Sequence, residues 1–134
     1  MFSDHYVCVT SKKSAFSNRK LNLQEIASIP QIAVSPFLPK HTGSVDDWFR
    51  EAGLTPNVVI SAPCFTVVPA YLEMADVIAF LPSRSISNNS LKVLDLHHHP
   101  VNFEVVASWH ARSDQDPLNR WVVDLIREKY QELR

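Results

Sequence analysis

The sequence predicts an α/β fold with a mostly parallel sheet and flanking helices. Two observations carry this expectation. Short β-branched apolar runs alternate along the chain with amphipathic stripes at helical spacing. Several of those runs are apolar at every position, as strands covered on both faces are. With 134 residues, 46% of them hydrophobic, the chain can bury one core without disulfide or metal staples.

The expected strands are residues 5–10, 31–35, 57–61, 77–81, 91–96 and 103–109. Continuous apolarity in them suggests parallel pairing. Between the first two strands, Asn22 and Glu25 have the spacing of a capping box, opening a short helix through Ile29 that Pro30 stops. Ser44 and Asp47 repeat the signal, followed by Val45, Trp48, Phe49 and Ala52 on one helical face and by Gly53 as a C-terminal cap. Val68, Tyr71, Leu72 and Ala75 form the matching stripe of the next helix, and Asp76 leads into the following strand. Ser83 to Ser90 is polar and reads as a loop. In the last segment Asp116 is placed as an N-cap and Pro117 at the first helical position. From there Leu118, Trp121, Val122, Leu125, Ile126, Tyr130 and Leu133 trace one apolar face.

Charge and composition exclude several functions. Thirteen basic against fourteen acidic residues leave a formal charge of −1, with no electrostatic footprint for nucleic acid. No apolar run approaches the ~20 residues of a membrane span, and residues 1–4 lack the features of a signal peptide. Two cysteines in apolar surroundings fit a reducing cytoplasm. With Gly43 and Gly53 the only glycines, neither a Walker loop nor a dinucleotide fingerprint can be built, and no cofactor is expected.

Four features bear on chemistry. Asn57 to Arg84 is a strand, helix, strand unit whose turn, Ser61-Ala62-Pro63-Cys64-Phe65, falls at the carboxyl edge of a parallel sheet, where open α/β folds bind ligands. Cys64, at a helix start, reads either as a thiol of lowered pKa or as a small residue lining a pocket; no base can be paired with it by sequence. Hydroxyls of Ser35, Thr42, Ser44 and Thr66 read either as helix caps or as a cradle for a carboxylate. The triplet His97-His98-His99 lacks a second ligand cluster, so no metal site is expected and an exposed strand end is the simpler reading.

Taken in order, Asp4-His5-Tyr6-Val7-Cys8-Val9, Val45-Asp46-Asp47-Trp48, Ala62-Pro63-Cys64-Phe65 and Ala79-Phe80-Leu81-Pro82-Ser83-Arg84 resemble the effector-binding region of LysR-type transcriptional regulators. Ser108-Trp109-His110-Ala111-Arg112 and Asp116-Pro117-Leu118-Asn119-Arg120-Trp121 are similar to that family's closing segment, especially in its aromatic-acid and flavonoid-sensing branch. The resemblance implies a Rossmann-like subdomain of a two-lobed, periplasmic-binding-protein-like fold, with an effector between the lobes. In that frame residues 1–134 are a truncated effector-binding domain. Residues from about 5 to 103 form the second regulatory subdomain, and those from about 104 to 134 are a crossing strand and the closing helix of the first subdomain. The first crossing strand falls near residues 1–9 and the second near 103–109. Position by position, the resemblance implies effector contacts from Ser35, Pro36, Thr42, Cys64, Phe65 and Ser108, and no catalytic residue. Branch members often carry histidine where Thr42 and Cys64 stand, and a larger apolar residue where Ser108 stands, so a smaller or differently polar effector is implied as readily as an aromatic acid.

The resemblance further implies a cytoplasmic protein that contacts DNA only through an N-terminal helix-turn-helix outside this chain. The apolar face of residues 118–133 calls for self-association, in a dimer, because so long a stripe needs a cover. Two other classes fit the residues: a free-standing small-ligand-binding or interaction module, and a small α/β enzyme using Cys64.

Overall fold

The computed structural model describes residues 1–16, 20–35, 45–86 and 90–132. The chain divides into two compact units, one of His5–Val101 and one of Met1–Asp4 with Asn102–Arg134.

The larger unit is built on a five-stranded sheet in the order β4-β3-β5-β2-β6. Its strands are β2 (Tyr6–Ser11), β3 (Gln31–Val34), β4 (Val58–Ala62), β5 (Ile78–Pro82) and β6 (Leu91–Val93). The central strands feed two cores through strict alternation. Cys8, Ile78 and Phe80 point to one face, where they join Ile26, Ala27, Val45 and Phe49 from helices α1 (Leu23–Ser28) and α2 (Asp46–Glu51) and their flanks. Val9, Ala79 and Leu81 point to the other, beneath Val68 and Leu72 of α3 (Val68–Met74). The apolar runs of β3 and β5 are therefore double-sided strands, as their composition implied, whereas edge strand β4 leaves Val59 exposed.

Topology follows from chain direction. From β3 the chain runs through α2 to β4 on one side, and from β4 through α3 to β5 on β3's other side. Right-handed crossovers in opposite lateral directions must use opposite faces, which is where Phe49 and the Val68–Leu72 pair lie. The ladders of β3 with β4 and with β5 are parallel. Those of β2 with β5 and with β6 are antiparallel, so the sheet is mixed rather than mostly parallel. Apolarity on both faces reports burial and carries no information on strand direction, which explains the difference.

Local signals explain most boundaries. The Asn22 side chain accepts from Glu25 N at 2.9 Å and caps α1, and Ile29 closes it just before Pro30. Ser44 lies outside the described residues. Val45 occupies the N-cap of α2 without a side-chain bond, while the buried Phe49 anchors the helix. After α2, Gly53 N donates to Arg50 O at 2.9 Å and Leu54 N to Phe49 O at 2.9 Å, the paired bonds of a Schellman cap, with Gly53 at φ 72°. The two buried polar side chains of the sheet are satisfied: Thr10 Oγ1 donates to Val77 O at 2.8 Å and Gln31 Nε2 to Ile26 O at 3.1 Å.

In the smaller unit, β1 (Phe2–Asp4) pairs antiparallel with β7 (Phe103–Val105), and α4 (Pro117–Glu132) follows a short 3-10 turn. Asp116 is the N-cap, its carboxylate accepting from Leu118 N at 2.9 Å, with Pro117 first in the helix. Tyr130 sets its ring against Phe2, with centroids 4.6 Å apart. Strand β7 is shorter than the expected 103–109, and the strand pairing expected near residues 1–9 breaks at His5 into β1 and β2, which serve different sheets.

Gly53→Ala is expected to destabilise the protein by about 1 kcal/mol, all of it from the positive φ, because an added Cβ would meet nothing within 4 Å. Phe49→Ala, at a fully buried position, is expected to cost ~3–5 kcal/mol. Urea unfolding followed by circular dichroism measures both.

Candidate functional site

The carboxyl ends of β3, β4 and β5 deliver the residues that sequence reasoning singled out. Beyond β3 stands Ser35, half-buried, whose N–H donates to Ala62 O at 2.9 Å and so ties it to the end of β4. Beyond β4 the Pro63-Cys64 turn opens a 3-10 turn at Phe65–Val67 that runs into α3. Strands β3 and β5 pair only over Gln31–Ile32 and Ile78–Ala79. Their chain connections then leave in opposite lateral directions, the arrangement that makes a crevice at the carboxyl edge.

Of the expected contacts, Ser35, Cys64 and Phe65 are brought to this edge. Pro36 and Thr42 lie outside the described residues. Ser108 belongs to the smaller unit, three residues beyond the end of β7, where it is exposed and off the strand that was expected to carry it. The hydroxyl cradle is described at two of its four members, Ser35 and Thr66, and Thr66 is engaged locally with Cys64.

The two cysteines differ in chemistry because they differ in solvation. Cys8, in the core, has its thiol pKa pushed far up by burial. Cys64 is exposed, and its pKa is lowered, first by the Thr66 hydroxyl, 3.1 Å from Sγ. Desolvation opposes this, and the backbone N–H groups of Val67 and Thr66 add smaller lowering contributions. Among the described residues no charged group contributes, so there the thiol has hydrogen-bond donors around it and no base.

Other residues at the edge went unnoticed in the sequence. Tyr6, the first residue of β2, pairs with Pro82 at the end of β5, and its ring lies 6.3 Å from that of Phe65. Ser83 N donates to His5 O at 2.8 Å. Only the antiparallel direction of β2 puts its start beside the carboxyl end of β5, and no local signal reports that direction.

At the opposite end of the sheet a groove of about 410 Å³ runs between Ser11–Ala15 and the end of α3. Its carboxylates are already engaged: Asp76 accepts from the Ser14 hydroxyl and Glu73 from that of Ser90. His97, His98 and His99 are exposed, and no group of three or more metal-ligating side chains converges among the described residues. Nor, among the described residues, is any helix long and apolar enough to cross a membrane.

A sheet covered on both faces, with its switch point between β3 and β5, is an open α/β domain of the kind that binds ligands at the carboxyl edge. Residues 1–131 match the family model of the LysR substrate binding domain, and the chain belongs to that family. It is 26% identical over 136 residues to the HTH-type transcriptional activator NagR of a Ralstonia species, an alignment covering 98% of this chain and 45% of the relative. Nodulation protein D 1 of Sinorhizobium fredii is likewise 26% identical over 136 residues, covering 96% of this chain and 41% of the relative. The crystal structure of HinK, a LysR family transcriptional regulator from Pseudomonas aeruginosa, superimposes with a TM-score of 0.75 at 22% identity, over 100% of this chain and 48% of that one. The fold is thus that of LysR-type regulatory domains, which are periplasmic-binding-protein-like. The chain spans about half the length of the curated relatives it matches.

Thiol labelling tests the contrast between the cysteines. One thiol is expected to react in the native protein and both in denaturant. Because hydrogen bonding lowers the Cys64 pKa, its labelling rate should rise at lower pH than that of a free thiol. Thr66→Val, which removes the principal donor, is expected to move the profile back to higher pH, and rate measurements across pH 6 to about 10 read the shift.

Proposed function

We propose that this chain is part of the effector-binding domain of a LysR-type transcriptional regulator and senses a small molecule, a carboxylate or an aromatic, without catalysing a reaction on it. Residues from about 5 to 103 act as the second regulatory subdomain, and those from about 104 to 134 as a crossing strand and the closing helix of the first. The observation that carries the reading is the convergence of Ser35, Cys64 and Phe65 at the carboxyl edge of β3 and β4, in a chain whose family model is a substrate-binding domain. Pro36, Thr42 and Ser108 complete the proposed contact set. Ligand binding works by population shift: an effector that prefers one arrangement of the regulator favours it by its difference in affinity. DNA is contacted by a helix-turn-helix segment outside this chain, in the cytoplasm. The exposed Cys64 thiol is the one observation that favours an enzyme, but among the described residues its hydrogen-bond partners include no base.

The chain also self-associates through α4 in this reading. Leu118, Trp121, Val122, Leu125 and Ile126 remain 65, 61, 39, 38 and 37% exposed along one stripe of the helix, an apolar surface that association covers.

Thermal denaturation against a panel of small carboxylates and aromatics tests the effector reading. A cognate compound at 100 times its Kd adds about 2.7 kcal/mol of stability, and Ser35→Ala or Cys64→Phe should reduce the response several-fold. A panel without any response counts against the reading. Light scattering tests the association: a dimer is expected, converted to monomer by Leu125→Glu, and a wild-type monomer at high concentration overturns it.

A further inference from the structure

We infer that Tyr6 is a specificity-determining residue of this edge, forming with Phe65 an aromatic ledge that selects a flat ring over a saturated ring of similar size. The inference deepens the effector reading above and rests on it.

Geometry supplies the argument. In the order β4-β3-β5-β2, Phe65 follows β4 and Tyr6 begins β2, so two strands separate them. Three inter-strand spacings amount to roughly 14 Å, yet the ring centroids are 6.3 Å apart with their planes tilted by 46°. The two rings therefore meet over the ends of β3 and β5, the switch point at which open α/β sheets bind ligands. Tyr6 gets there because β2 is antiparallel to β5, with Tyr6 opposite Pro82. Phe65 does so because the chain turns at Pro63-Cys64 toward α3. Tyr6 packs against the core beneath α1 and α2, and Phe65 against the core beneath α3, so each ring is anchored from a different side of the sheet. Neither is fully buried. Two anchored rings with accessible surface at a ligand edge offer their faces and edges to a third ring, which prefers such offset or tilted contacts. A saturated ring matches the apolar area but lacks the quadrupole.

Cys64, adjacent to Phe65, exposed, and accompanied only by the buried Cys8, makes the test specific. The full chain is equilibrated, in excess thiol reductant, with two mixed-disulfide probes that differ only in carrying a benzyl or a cyclohexylmethyl group. The Cys64 thiolate attacks one probe sulfur and expels the other as a thiolate that takes a proton from water, leaving the fragment on Cys64 as a disulfide. Mass spectrometry reads the retained ratio. The benzyl fragment is expected to be retained about fivefold over the cyclohexylmethyl one. Tyr6→Phe, which keeps the ring, should preserve the preference, and Tyr6→Leu and Phe65→Leu should each remove it. Equal retention in the wild type, or a preference that survives in folded Tyr6→Leu, overturns the proposal and leaves the rings as a cap on the two cores. Free carboxylates are scored separately by thermal denaturation. A lost ring preference with free binding intact sinks the role of Tyr6 alone, and an intact preference without free binding sinks the effector reading alone.

Discussion

Burial of the central strands on both faces is the constraint from which the rest of the structure follows. Ile78 and Phe80 enter one core while Ala79 and Leu81 enter the other, so β5 cannot exist without helices above and below it. Each helix must come from a crossover, and the handedness of crossovers then sends α2 and α3 to opposite faces. With connections leaving in opposite directions, the carboxyl ends of β3 and β5 form the switch point of the sheet. The position of the candidate site is thus a by-product of covering the sheet.

The same burial assigns opposite chemistry to two identical side chains. Cys8 sits between strands in the core and is held as a neutral thiol by desolvation, whereas Cys64 sits in a turn that a proline keeps out of the ladder and is exposed to water and to hydrogen-bond donors. Buried polar groups obey a parallel rule. Thr10 and Gln31 are tolerated in the core because each donates to a backbone carbonyl, of Val77 and Ile26 respectively.

Helix α4 shows how far an amphipathic pattern reaches. Its apolar stripe is evident from residue spacing, and its start from Asp116 and Pro117. Spacing says that the stripe needs a cover without saying what supplies it. Within its own unit the helix uses a neighbouring surface, where Tyr130 meets Phe2, and leaves Leu118, Trp121 and Val122 to water.

Read alone, the sequence determined the α/β class, the helix caps at Asn22, Gly53 and Asp116, the double-sided strands, and the arrival of Cys64 and Phe65 at a carboxyl edge. All of these depend on residues close together in the chain: a cap needs partners within a few positions, and a buried strand needs only its own composition. Tertiary structure alone decided the antiparallel direction of β2, the meeting of Tyr6 with Phe65, and the separation of Ser108 from the strand expected to hold it. The reason is that an apolar strand satisfies the same side-chain pattern in either direction. Its neighbours are settled by which backbone hydrogen bonds form between segments far apart in the chain, and no local residue pattern records that choice.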